Sequence, residues 1–174
     1  VIRTVKDIQY REISCFHGEA LASVHNKCFV SPWSAKDFHE LLSLTSVSGF
    51  ISYRTKENFN NINIPSVGSE TSSAIDLKGF VLGLVASDQC EILTICVLPE
   101  WRRAGIANQL IETLITKIKK TGVKNIFLEV AENNLVARKL YINQGFKEFG
   151  MRAKYYSQGK ERVDAIQLSK TISF

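Results

Sequence analysis

Apolar positions in this chain recur with two different periods, and the switching between them predicts mixed α and β structure. Ile2 to Val5 reads as a first edge strand. From about Asp7 to Phe29, Ile13, Phe16, Ala20, Leu21, Val24 and Cys28 recur at spacings of three and four, which predicts an amphipathic helix. Ser31-Pro32-Trp33-Ser34 breaks that pattern, and Ser34 is placed to cap a second helix running to about Leu44. Gly49 to Arg54 reads as a strand. Lys78 to Ala86 and Cys90 to Val97, rich in Val, Ile and Leu, flank the turn Ser87-Asp88-Gln89 and predict a hairpin. Leu110, Leu114, Ile115 and Ile118 mark the next helix, which Gly122 closes. Asn125 to Val130 is a further strand, and a helix from about Leu135 to Gln144 stops at Gly145. Strands near Phe146 to Phe149 and Asp164 to Leu168 complete the order, with no internal repeat.

One stretch departs from both periods. Between about residues 55 and 77, Asn58, Asn60, Asn61, Asn63, Ser66, Ser69, Ser72 and Ser73 crowd a segment with few large apolar residues. It reads as a flexible insert between two strands of a single domain spanning 1–174.

Composition narrows the picture modestly. The chain of 174 residues is 45% hydrophobic and carries a formal net charge of +5. That excess suits a polyanionic ligand, and a solvated basic surface accounts for it equally well. Lysines and arginines are scattered apart from Arg102–Arg103 and Lys119–Lys120, so charge gives no ground for direct nucleic-acid binding. Cys15, Cys28, Cys90 and Cys96 show no C-x-x-C spacing and sit in apolar stretches, as reduced core thiols of a cytoplasmic protein would. His17, His25 and His39 lack partners at ligand spacing, so no metal site is expected. No run of 18 apolar residues and no signal-peptide pattern is present, so no membrane association is expected.

The first chemical signal is Val97-Leu98-Pro99-Glu100-Trp101-Arg102-Arg103-Ala104-Gly105-Ile106-Ala107. Pro99 ends the apolar strand, and a helix begins a few residues later. A helix N-terminus presents free N–H groups and a partial positive charge to an anion. Gly105 and the small Ala107 let that backbone come close, and Arg102 and Arg103 add permanent charge. The spacing is neither G-x-x-x-x-G-K-[ST] nor G-x-G-x-x-G. Arg102-x-x-Gly105-x-Ala107 instead resembles the pyrophosphate loop of the GNAT acetyltransferases.

A second stretch carries the resemblance further. Leu128-Glu129-Val130, Asn134, Ala137, Leu140-Tyr141 and Gly145-Phe146 fit L-E-V-x-x-x-N-x-x-A-x-x-L-Y-x-x-x-G-F of the same family. Pro32-Trp33-Ser34, and Tyr155-Tyr156 followed by Asp164-Ala165-Ile166, are similar to the branch that acetylates the N-terminal alanine of a small-subunit ribosomal protein.

The resemblance implies a mixed, mostly antiparallel twisted sheet, splayed at the acetyl-CoA site, with helices on both faces. It implies direct transfer from acetyl-CoA to an α-amine, with Glu129 as general base and Tyr141 as acid toward the departing thiolate. Ile95, Cys96 and Val97 would meet the acetyl group and pantetheine arm. Arg102, Arg103, Ala104, Gly105, Ile106, Ala107 and Asn108 would hold the pyrophosphate, and Asn134 would add a coenzyme contact. Trp33, Tyr155 and Tyr156 would wall the acceptor groove. Glu91, on a strand near the same place, is a rival for the base. Two departures stand out: Ala107 where many relatives carry glycine, and Val163 where an acidic residue is common.

Elementary chemistry bears on these roles. An α-amine with a pKa near 8 is about one-tenth neutral at pH 7, a cost of about 1.4 kcal/mol, whereas a lysine amine faces about 4.6 kcal/mol. Tyrosine near 10 would protonate a thiolate near 8.5 uphill by roughly 2 kcal/mol, so Tyr141 could act as much by hydrogen bonding as by transfer. Plain readings coexist with the functional ones: Tyr141 as a core aromatic, Asn134 as a helix cap, Glu129 as a surface carboxylate. A GNAT enzyme acting on a lysine, antibiotic or polyamine is one alternative. A non-catalytic acyl-CoA sensor is another, and the presence of both Glu129 and Tyr141 weighs against it.

Overall fold

The computed structural model describes residues 7–54, 76–158 and 161–173. Within them lie strands β1 (Ile8–Glu12), β2 (Val47–Arg54), β3 (Asp76–Ala86), β4 (Gln89–Val97), β5 (Asn125–Ala131), β6 (Lys147–Gln158) and β7 (Glu161–Thr171). The helices are α1 (Gly18–Asn26), α2 (Ala35–Leu42), α3 (Ile106–Lys119) and α4 (Leu135–Asn143). The strands form one sheet in the order β1-β2-β3-β4-β5-β7-β6. Neighbours run antiparallel except β4 and β5, which α3 connects as a parallel crossover.

Both faces of the sheet centre are covered, which explains the nearly continuous burial of β3. Phe80 meets His25 and Phe38 on the side of α1 and α2. On the opposite side, a Cβ at Gly83 would lie 3.3 Å from Leu114 of α3, so the glycine lets that helix sit close. Residues 80 and 83 differ in parity along the strand, and therefore face opposite ways. Leu110, Ile111, Leu114 and Ile118 form the buried stripe of α3.

Two irregularities shape the site. Along the β3–β4 pair, Leu82 faces Thr94 but Gly83 faces Ile92, so Leu93 is an extra residue in a bulge. β4 and β5 pair only from Gln89↔Asn125 to Ile92↔Leu128. Beyond that point β4 continues against β3, β5 continues against β7, and the sheet splays open.

The N-terminal segment departs from the single helix that its spacing predicts. Residues 8–12 form a strand paired with β2, and α1 begins only at Gly18. Ile8 and Tyr10 alternate with exposed Gln9, a period-two signal that the longer helical spacing obscured. Phe16 lies outside α1 and is 63% exposed. The edge strand expected at residues 2–5 lies outside the described residues. So does most of the insert at 55–77, although its last two residues, Asp76 and Leu77, belong to β3. β6 and β7 extend well beyond the short strands predicted for them. Ser34 caps α2 as expected, accepting from the Asp37 N–H in a capping box.

Candidate active site

The splay leaves one edge of β4 without a strand partner over Ile95, Cys96 and Val97, which face Val81, Phe80 and Gly79 on the other side. Apart from the Val97 carbonyl, the outward backbone groups of that edge have no strand partner among the described residues and can receive an extended ligand. The Val97 carbonyl accepts from Arg102 Nε at 3.1 Å and from Cys28 Sγ at 3.6 Å. Arg102 thus braces the end of β4 through one nitrogen. Cys28 is only half-buried and Cys15 is exposed, so neither is the core thiol its apolar neighbours suggested. The Cys96 thiol and Arg102 bring the Cys28 thiol down to about 7, while burial pushes Cys96 well up.

The cradle follows directly. Arg103 takes a φ of 66° and Gly105 a φ of 79°, so the chain curls tightly before α3. Gly105 offers no side chain to cap the helix, and no backbone acceptor among the described residues takes the N–H groups of Ile106, Ala107 or Asn108. A Cβ placed on Gly105 would meet nothing within 4 Å, so open space lies above the turn. Ala104 and Ala107 are half-buried and Ile106 anchors the turn in the core. The Asn108 side chain accepts from Gln144 at 3.0 Å, tying α3 to α4. Free donors, a helix dipole and open space together fit a pyrophosphate. Asn134 caps α4 by accepting from the Ala137 N–H at 3.2 Å, so its place is explained by the helix alone.

Glu129 is the first residue of β5 past the last β4 pair. Its side chain is 17% exposed and forms an ion pair with Arg152. Arg152 Nη1 donates to Oε1 at 3.0 Å and to Oε2 at 3.4 Å, and Gln167 Nε2 donates to Oε1 at 3.0 Å. Neither Arg152 nor Gln167 carried a sequence signal. The Tyr156 hydroxyl donates to the Glu129 backbone carbonyl at 3.2 Å. Burial, then the charge of Glu129, pushes the Tyr156 hydroxyl up to about 12. Tyr155 stacks edge-on against Tyr156 and lies under the Arg152 guanidinium at 4.1 Å. Both tyrosines reach this place because a bulge between Arg152 and Tyr156, with Lys154 at a φ of 54°, displaces β6 from its register on β7.

Tyr141 is buried on α4 with its ring edge-on to Phe146 at 5.7 Å. Burial, reinforced by Tyr156, holds its hydroxyl well above the usual tyrosine range. Glu91 is exposed and pairs with Phe127, which places it on the Glu129 face of the sheet but before the splay.

Trp33 packs against His25 of α1 and Phe38 of α2, held by a residue that spacing alone does not single out. His25 is buried, and its Nδ1 accepts from the Trp33 backbone N–H at 3.0 Å. Its Nε2 lies 3.4 Å from the Thr94 hydroxyl, and its ring stacks on Phe29 at 4.1 Å and Trp33 at 5.2 Å. Burial lowers its pKa to about 4. A neutral imidazole therefore ties the Phe29–Trp33 loop to the splayed strand. Among the described residues, no group of three or more His, Cys, Asp or Glu could hold a metal, and no helix is long and apolar enough to cross a membrane.

Comparison with known proteins agrees with this geometry. The family model described as acetyltransferase (GNAT) family matches residues 18–146. The ribosomal protein bS18-alanine N-acetyltransferase (RimI) of Escherichia coli K12 is 29% identical over 150 residues, covering 86% of this chain and 88% of that protein. The enzyme of the same name from Haemophilus influenzae is 28% identical over 137 residues, covering 77% and 93%. The crystal structure of the E. coli ribosomal-protein-S18-alanine N-acetyltransferase superposes with a TM-score of 0.78 at 25% identity, over 96% of this chain and 95% of that one. Arabidopsis thaliana NAA60 in complex with acetyl-CoA shares the fold, with a TM-score of 0.75 at 20% identity over 95% and 98%. The chain belongs to the GNAT acetyltransferase family and is an acetyl-CoA-dependent N-acetyltransferase.

Proposed function

We propose that this enzyme acetylates the N-terminal α-amine of a protein by direct transfer, and that the acceptor is the N-terminal alanine of ribosomal protein bS18 or a close equivalent. The observation that carries the reading is the parting of β4 and β5 after Ile92 and Leu128, which sets the open edge of Ile95–Val97 beside Glu129. Acetyl-CoA supplies an activated thioester carbonyl, and the chain supplies the surroundings. The first turn of α3, with Arg103, holds the pyrophosphate, and the β4 edge receives the pantetheine arm. A backbone N–H of that edge stabilises negative charge growing on the carbonyl oxygen.

Glu129 accepts the proton of the attacking amine, directly or through water. An α-amine needs only about 1.4 kcal/mol to reach its neutral form at pH 7, which favours it over lysine. Tyr141 serves the departing sulfur as a hydrogen-bond donor. With its hydroxyl held above the usual value, full proton transfer is more uphill than the roughly 2 kcal/mol of an ordinary tyrosine. Trp33, Tyr155 and Tyr156 wall the acceptor groove, and much of the rate comes from holding amine and thioester together. Glu91, exposed and before the splay, is less well placed than Glu129 as base.

Mass spectrometry of acetyl transfer to two peptides tests the reading. One carries the free N-terminus of bS18; the other has that terminus blocked and an internal lysine free. Acetylation of the first alone is expected. Acetylation of the second alone would reassign the enzyme to lysine.

A further inference from the structure

Glu129 sits in a row of three residues that crosses three strands, and the row has a shape. Glu129 on β5 faces Gln167 on β7, and Gln167 faces Gly150 on β6. A Cβ on Gly150 would come within 2.6 Å of Gln167 Oε1. The missing side chain on β6 therefore gives the Gln167 amide room to lie across the sheet, with its Nε2 pointed at Glu129. Two residues beyond Gly150, Arg152 reaches the same carboxylate from β6 while resting on the Tyr155 ring. The two donors do not share the carboxylate evenly. Oε1 takes both 3.0 Å contacts, and Oε2 takes only the 3.4 Å approach of Arg152.

A glutamate carboxyl group rotates broadly about its last torsion, so an unrestrained Glu129 would present either oxygen in many directions. A base must hold one oxygen within about 2.6–3.2 Å of the proton it takes. Two donors converging on Oε1 restrict that freedom and leave Oε2, which takes only the longer Arg152 contact, as the less committed oxygen. We propose that Arg152 and Gln167 are positioning residues that clamp Oε1 of Glu129, so that Oε2 is the atom that receives the amine proton, with Gly150 making the clamp possible. The inference rests on the reading of Glu129 as the base.

Initial-rate kinetics with the free-N-terminus peptide test it, using Glu129→Gln, Arg152→Gln, Arg152→Lys, Gln167→Met and Gly150→Ala, each checked for an unchanged melting temperature. Gln167→Met and Arg152→Gln should each lower kcat about tenfold, since small misplacements of a reacting group cost up to about 10²-fold, and leave KM for acetyl-CoA unchanged. Arg152→Lys should recover part of the loss, and Gly150→Ala should mimic Gln167→Met. In the Glu129→Gln background neither clamp substitution should lower kcat further, because a positioning residue has nothing left to position. A merely structural role would lower kcat equally in both backgrounds and would overturn the clamp. Wild-type kcat in Gln167→Met and Arg152→Gln, with Glu129→Gln inactive, would overturn the clamp and leave the base standing. Wild-type kcat in Glu129→Gln would remove the base and the clamp together.

Discussion

The cradle at 102–108 and the acceptor side around Glu129 are built on opposite principles. The cradle is a run of consecutive residues whose working groups are backbone N–H donors, so its chemistry is set by φ angles and by the absence of a cap at Gly105. The acceptor side is made of side chains from Glu129, Arg152, Tyr156 and Gln167, brought together only by strand register. A local turn can be recognised in a six-residue pattern. A cross-strand cluster has no linear spacing, because each member depends on which strands pair and where the bulges fall. The two regions should therefore fail differently: damage to the cradle should appear in coenzyme binding, damage to the acceptor side in turnover.

The largest separation should come from Tyr141→Phe, which deletes the hydroxyl and keeps the buried ring against Phe146. Turnover should fall about 10²-fold, the lower range for loss of a general acid or hydrogen-bond donor, with acetyl-CoA affinity intact by calorimetry. Gly105→Val should do the reverse. Its side chain would meet open space, so the cost lies in the positive φ, about 1–2 kcal/mol, and KM for acetyl-CoA should rise about tenfold while saturated turnover is kept. A smaller effect is expected from Gly150→Ala, which displaces only the end of the Gln167 side chain. Its kcat should fall without change in KM for acetyl-CoA, and a rise in that KM would break the division between the regions.

The smallest effect concerns pH and the His25–Trp33 contact. The His25 pKa is about 4 when folded and near 6.5 when unfolded, so the unfolded chain binds the extra proton first. Stability from neutral His25 is complete above about 6.5 and is lost progressively as pH falls toward 4. Urea midpoints across that window should fall with pH in the wild type and fall less in His25→Gln. Equal slopes would remove His25 as the titrating group.

Much of the fold was legible because its signals are local. The β3–β4 hairpin, the stripe of α3, the Ser34 cap and the stops at Gly122 and Gly145 (φ 88° and 84°) all follow from a few neighbouring residues. β1 was not, because a five-residue alternation beside a longer helical spacing loses to it unless its partner β2 is known. His25 lacked any ligand-like neighbour in sequence, yet its partners are the Trp33 backbone and Thr94, 69 residues away. Cys28 looked like a core thiol among apolar residues, but it lies at the Val97 carbonyl on the open strand. Arg152 and Gln167 became visible only once the β5–β7–β6 register placed them over Glu129. Glu129 and Tyr141 are proposed from the family motif, and the structure adds what surrounds each of them.

The most direct test of the account takes Glu129→Gln, measures acetyl-CoA binding at equilibrium, and then follows single-turnover transfer to the α-amine peptide in the same saturated sample. Wild-type affinity is expected, with transfer slowed about 10²-fold or more, the scale of a lost general base. Transfer at the wild-type rate, or a loss of acetyl-CoA binding that alone explains the slower turnover, would contradict it.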